Sequence, residues 1–451
     1  MKKLLCLFIV CMMALTLFAG CTQTTVLPAP GSDSKTTPAA ATKPPKAQTP
    51  VTLKLLSTAD EAKAMPQLLK KFNETYPNVS IESIIASTPD QYNSIMAAKI
   101  AAKDVPDLLL YQAGAVTALY ASQGIITDLT DTGFIDRISA GDKSRYSYKS
   151  RVFSVPLVLG VAGIIVNTDV MKKYGVTEIP KTLKEFIEIC EKFKKAGLES
   201  PVIVGGKELS PASQYVYQSI YLNIYGKNPN WYIDVLEGKN SWNGPEMQRI
   251  IDGYASFKQY INKDTLGLDL NGAIRRLALG EGAYLINNAS GLVGLRAANP
   301  DGNYMVIPPP WTMEGTDTLA NSDYDNAISI SSSTKYPVES LAFVDFLTSK
   351  EGAAIFNNAT KTFPSVLGAK VDLDPALTYV FKNYIDNKKS VGFYSRQWVP
   401  GVQDVMKKSV QDWLGGLDKT TALDFIEKEH KRLMQINAEY VKDFLHDNPR
   451  H

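Results

Sequence analysis

The chain has 451 residues, of which 45% are hydrophobic and 21% charged, and a formal net charge of +2. That length exceeds what one core normally holds, so two lobes are expected. The near-neutral balance, whose excess is accounted for by Lys2 and Lys3, gives no reason to expect nucleic acid or acidic lipid as a partner.

Lys2 and Lys3 precede an apolar run, Leu4 to Phe18, and the small residues Ala19 and Gly20 stand before Cys21. This pattern predicts an export signal over residues 1–20, in a run too short to be a typical membrane span. A cysteine placed directly after small residues resembles the lipobox of bacterial lipoproteins, although Phe18 stands where that motif usually has leucine. The resemblance implies that Cys21 is acylated and becomes the mature first residue; the alternative is an ordinary cleaved signal with a stray cysteine. Cys6 and Cys11 leave with the leader, so only Cys190 remains and no disulfide framework is available. Cys190 shares a helical apolar face with Leu183, Phe186, Ile187 and Phe193, which predicts a buried core thiol. Residues 21–50, rich in Thr, Pro, Ala, Ser and Lys after the cysteine, are expected to form a disordered or semi-extended tether.

Val51 to Leu56 reads as a strand. It is followed by a helix with apolar face Met65, Leu68, Leu69 and Phe72, and Thr58 and Glu61 have capping-box spacing at its start. Pro66 fits that helix only if its first turn is late. Val79 to Ile85 is a second strand, Asp90 to Lys103 a second helix and Asp107 to Tyr111 a third strand, a β-α-β-α-β unit that implies a parallel sheet. Ligands sit beyond the carboxyl ends of such strands, which selects Ser57, Thr58 and Asp60 after the first and Tyr111 and Gln112 after the third. In Phe153 to Asn167, two β-branched runs, Val155 to Leu159 and Ile164 to Val166, flank Gly160 and Gly163. They read as two strands meeting at a flexible join, the first crossing between two lobes, with a ligand cleft beside it.

Further along, Thr182 with Glu185 starts a helix that Gly197 ends, and Pro201 to Val204 is the next strand. Helical patterns cover Ser213 to Tyr225 and Pro245 to Ile261. Ala283 to Ile286, Tyr304 to Ile307 and Ala327 to Ile330 read as strands. Helices from Val399 to Trp413 and from Thr420 to about Phe444 carry apolar positions such as Phe425, Leu433, Ile436 and Tyr440, expected to dock onto the core.

The three histidines, His430, His446 and His451, lie in the last helix and tail, a poor source for a catalytic triad or metal site. Gly205, Gly206 and Lys207 suggest a phosphate loop, but Pro201 and Glu208 occupy its first-glycine and Ser/Thr positions. The pairs Asp323 with Asp325 and Asp372 with Asp374 lack the spacing of a calcium loop and read as solvated turns. No metal or other cofactor is expected. Glycoside hydrolysis needs only two facing carboxylates, so it is the enzymatic rival, although the chain lacks the eight-fold repetition of a barrel enzyme.

Seven phrases in order and spacing carry a resemblance. They are VTLKLLSTADEAKAMPQLLKKFNETYPNVSIE, DVPDLLLY, FSVPLVLGVAGIIVNTDVMKKYGVTEIPKTLKEF, LALGEGAYLINNASGLVGL, YMVIPPP, PVESLAFVDFLTSKEGAAIF and DWLGGLDKTTALDFIEKEHKRL. Together they resemble the family-1 extracellular solute-binding proteins, the carbohydrate receptors of ATP-driven (ABC) importers, over nearly all the chain after Pro50. The resemblance implies a two-lobed α/β, periplasmic-binding-protein-like fold with discontinuous lobes joined by a hinge, crossed near Leu159, Asp325 and Pro364. The lobes would be 51–160 plus 326–365 and 161–325 plus 366–451. It also implies a lipid-anchored receptor on the outer face of the membrane, not an enzyme, which catches a carbohydrate by hinge closure and presents it to permease subunits. The alternatives are a lipoprotein glycosidase, a receptor for a non-sugar solute and a purely structural surface protein.

A sugar has hydroxyls around its edge and a weakly apolar face, so amides or carboxylates and aromatic rings are the residue types to seek. The candidates at the expected cleft edges are Thr58, Asp60, Gln112, Asn287, Asn288, Asp325 and Asn326, with Tyr111, Trp311, Tyr324 and Trp398 as aromatics. Relatives often have a tryptophan where this chain has Ser290, and an aromatic where it has Ser57 and Thr58. Less stacking there leaves the ligand's identity open.

Overall fold

Val51, Leu53 and Leu55 are buried in one core while Thr52 and Lys54 face solvent, an alternation that makes Val51–Thr58 a strand, and Leu56 is buried on the opposite face beside Leu109 and Tyr111. The computed structural model describes residues 49–87, 89–138, 145–313 and 318–448, which belong to one compact unit, Pro44–His451. The leader, Cys21 and nearly all of the expected tether lie outside them. Val51–Thr58 pairs in parallel with Val79–Ala86 and with Leu108–Gln112, as the alternation of strands and helices predicts. Asn326–Ile330 then runs antiparallel to Leu108–Gln112, with Asn326 opposite Gln112, and Val155–Pro156 closes the five-stranded sheet. Pro66 lies in the first turn of Met65–Phe72, a helix separate from the short Ala59–Ala62, where the missing proline N–H costs nothing.

The second sheet is built on Val158–Asn167, which pairs with Tyr284–Asn288, Tyr304–Ile307, Ala320–Tyr324 and Phe363–Pro364. The chain thus passes between sheets at Leu157 and returns at Asp325. One expectation is corrected here. Gly160 and Gly163 do not separate two strands but lie inside one, and close packing explains both. A Cβ on Gly163 would sit 2.3 Å from the Ile307 carbonyl oxygen, and one on Gly160 would meet Phe393 and Asp325.

Leu183–Lys195 shows how sequence sets a helix in this half. The Thr182 hydroxyl accepts from the Glu185 N–H, lysines crowd the last turn, and Phe186, Ile189, Cys190 and Phe193 recur at helical spacing on the buried side. Burial pushes the Cys190 thiol far above its ordinary range, so it is an inert packing group. The core of this half is aromatic. Trp231 and Trp242 meet edge-to-face at 5.1 Å, and Trp311 stacks on Phe257 at 5.4 Å. Each such side chain contributes about 1.5–3 kcal/mol by leaving water. The last expected helix is broken at Asn437 into Lys419–Ile436 and Ala438–Asp447. Leu433 and Tyr440 pack on the core as expected, but Phe425 and Ile436 are exposed.

Candidate functional site

Helix Leu209–Ile220 and the π-helical turn Tyr221–Tyr225 put Gln214, Tyr217, Gln218 and Tyr221 three or four positions apart, on one face. That face lines an open cleft of about 520 Å³, a volume that includes space continuous with solvent. Asn288 joins from the end of Tyr284–Asn288, Gln403 and Lys407 from one face of helix Val402–Leu414, and Gln112 from the first sheet. A π turn at a cavity wall is a common device for re-aiming side chains.

Gln218 is held from both ends. Its Nε2 donates to the Gly163 carbonyl at 3.1 Å, and its Oε1 accepts the Trp311 indole N–H at 2.7 Å. The Tyr221 hydroxyl and Ser395 Oγ lie 2.5 Å apart. Burial pushes the Tyr221 phenol up to about 12, against the opposing pull of Ser395, Arg396 and Arg145, so it stays a neutral hydrogen-bonding group.

Two arginine–aspartate pairs flank the strand switch at Tyr324. Arg145 meets Asp323 at 3.0 Å with both side chains buried, and Asp323 also accepts the backbone N–H groups of Phe393 and Tyr324. The expectation of a solvated turn at Asp323 is corrected by this burial. Arg396, on the short 3₁₀ segment Tyr394–Gln397, donates through Nη2 to Asp325 at 2.7 Å and through Nη1 to Gln112 Oε1. The Arg396 carbonyl abuts Gly114, whose φ of +130° and lack of a Cβ allow the contact. Asp374 is also engaged, taking a two-pronged bond from Arg296 at 2.7 and 2.8 Å.

The first-sheet candidates converge only in part. Thr58 donates N–H and hydroxyl to Glu61 Oε2 at 2.7 and 3.0 Å, and Asn326 Nδ2 donates to Glu61 Oε1 at 2.5 Å. Glu61 is therefore the buried centre of a polar knot at the strand ends, whereas the spacing Thr58–Glu61 had suggested only a cap. Gln112 and Asn288 line the cavity, and Asp325 stands behind it through Arg396. Asn287 is buried beside its neighbour Asn288, opposite Gly163. The side chain of Asp60 falls outside the described residues.

The aromatic expectations need correction, because none of the four rings has an exposed face. Tyr111 is buried with its hydroxyl near Ser329 and Thr117; Tyr324 packs edge-on against Tyr146. Trp311 lies in the aromatic core behind Gln218, and Trp398 donates its indole N–H to the Tyr225 hydroxyl at 2.9 Å. The rings that do line the cavity are Tyr217, Tyr221 and Phe393, with no individual motif to announce them. The available signal was Gln214 and Gln218, two amides one turn apart in an otherwise buried helix.

Residues 57–354 match the family model described as bacterial extracellular solute-binding protein. The chain belongs to that family. This solute-binding protein is 22% identical over 350 residues to the multiple sugar-binding protein of Streptococcus mutans, covering 76% of this chain and 81% of that one. It is 25% identical over 259 residues to an uncharacterized ABC transporter extracellular-binding protein of Pyrococcus horikoshii, covering 55% of this chain and 58% of that protein's length. Among solved structures it is similar to the binding protein RafE in complex with raffinose, with a TM-score of 0.74 and 18% identity over 85% of this chain and 99% of that one. The two-lobed α/β fold expected from the sequence is the fold of this solute-binding protein. Among the described residues no helix is long and apolar enough to cross a membrane.

Proposed function

We propose that the protein captures a carbohydrate, an oligosaccharide, in the cavity between its two sheets and delivers it to the permease subunits of an ABC importer. The observation that carries this reading is the lining of amides from both sides, Gln112 on one and Gln214, Asn288 and Gln403 on the other, because an amide both donates and accepts, as each sugar hydroxyl does. The sugar-binding and raffinose-binding relatives support it. Residues 51–160 plus 326–365 and 161–325 plus 366–451 act as the lobes, and a ligand touching both shifts them toward closure. An acylated Cys21 holds the mature chain at the outer face of the cell membrane. Glycoside hydrolysis is less well supported, since no facing carboxylate pair is found among the described lining residues.

Calorimetric titration of the mature protein with mono- and oligosaccharides tests the reading, with peptides, polyamines and phosphates alongside. Saturable binding of a saccharide without turnover is expected. Tight binding of a peptide and of no glycan, or sustained product formation, contradicts it. Mass spectrometry of the membrane-extracted protein, compared with Cys21→Ser, tests the anchor.

A further inference from the structure

The described residues that line the cavity include two cations, Arg396 and Lys407, and no carboxylate. A neutral sugar hydroxyl needs an acceptor as well as a donor, and two of the lining amide oxygens already have one of their two lone pairs engaged. Gln112 Oε1 accepts from Arg396, and Gln218 Oε1 accepts from Trp311. Both cations keep donors beyond the bonds they already make. Of the five N–H groups of a guanidinium, Arg396 uses one on Asp325 and one on Gln112, and Lys407 bonds Asp404 at 3.0 Å with one of its three. Both side chains are largely withdrawn from water, at 13% and 20% exposure, where a cation attracts an anion more strongly than at the surface. Gln403 and Lys407 stand one helical turn apart, so Lys407 points into the cavity from the same face as a hydrogen-bonding neighbour.

We infer that the solute is an acidic saccharide, one bearing a uronate carboxylate, and that Lys407 and Arg396 receive that carboxylate. The inference rests on the carbohydrate reading above and narrows it. Each cation already shares its charge with an aspartate, so the pair suits a monoanionic carboxylate better than a dianionic phosphate.

The test is calorimetric titration near neutral pH with matched pairs, a neutral oligosaccharide and the same oligosaccharide carrying a uronate, with a phosphorylated sugar and acetate as further arms. The acidic member is expected to bind at least about tenfold more tightly, with the gap shrinking as salt is raised. Lys407→Gln is expected to narrow the gap to about threefold or less, and Lys407→Arg to retain most of it. Melting temperatures of both variants verify folding. Neutral members bound as tightly as acidic ones, a preference for the phosphate, or a gap unaltered in Lys407→Gln overturns the inference and leaves carbohydrate capture standing. Binding of no saccharide of either kind overturns both.

Discussion

Arg396 donates at 2.7 Å to Asp325, the residue at which the chain returns from the second sheet to the first. The same guanidinium reaches Gln112, and Gln112 lies opposite Asn326 in the first sheet, so one side chain ties the second half to both the strand switch and the cavity edge. Arg396→Ala is expected to cost about 1.5–3 kcal/mol in denaturant unfolding, the scale of a hydrogen bond to a charged group. It is also expected to lower saccharide affinity by about tenfold, because Arg396 lines the cavity and its bond to Gln112 links the two sides of it.

Gln218 is the acceptor for the buried Trp311 indole N–H. Gln218→Leu keeps the volume but leaves that donor and the Gly163 carbonyl without their side-chain partner, at a cost of about 1–3 kcal/mol. Urea unfolding followed by tryptophan fluorescence checks it. A loss within error of zero would show that the amide is not needed to satisfy the core.

Gly163→Ala places a methyl 2.3 Å from the Ile307 carbonyl oxygen, which is backbone and part of the sheet. A loss of about 3 kcal/mol or more is expected. Gly267→Ala is the control, since its Cβ would meet nothing nearer than 3.5 Å, and a change within about 0.5 kcal/mol is expected.

His430 is buried beside the Tyr232 hydroxyl, at 3.2 Å, and between Tyr232 and Trp242 rings. Burial lowers its pKa from 6.5 to about 4, with Glu427 opposing and Lys431 assisting. Between these values the unfolded chain takes up the proton and the folded chain does not, so stability falls as pH drops from about 6.5 toward 4, by about 3 kcal/mol in full. Thermal melts across that window check it, and His430→Gln is expected to flatten this part of the profile. A profile with the same slope in wild type and variant would assign the acid sensitivity to other groups.

The first three strands of the first sheet and their parallel order were legible because short apolar runs alternate with helical segments, whereas the antiparallel addition of Asn326–Ile330 and Val155–Pro156 was not. The family phrases implied hinge crossings near Leu159, Asp325 and Pro364; the chain changes sheets at Leu157 and Asp325. The cavity was less legible for a physical reason. Exposed loop placement was the guide for Trp311, Tyr324 and Trp398, yet large rings gain most by burial, and here their polar ends find partners such as Gln218 and Tyr225 inside the core. The residues that line the cavity from helix Leu209–Ile220 are separated from Arg396 and Lys407 by some 180 positions of chain, a juxtaposition that periodicity within one helix does not reveal. Glu61 was visible but read as a cap, since its second partner, Asn326, is 265 residues away.

Small-angle scattering of the mature protein, with and without a saturating saccharide identified by titration, addresses hinge closure most directly. The two halves are predicted to draw together, giving a smaller radius of gyration with ligand, and Arg396→Ala without ligand is predicted to be the most extended. Superimposable profiles for bound and free protein, with binding verified in the same samples, would contradict closure over a captured solute.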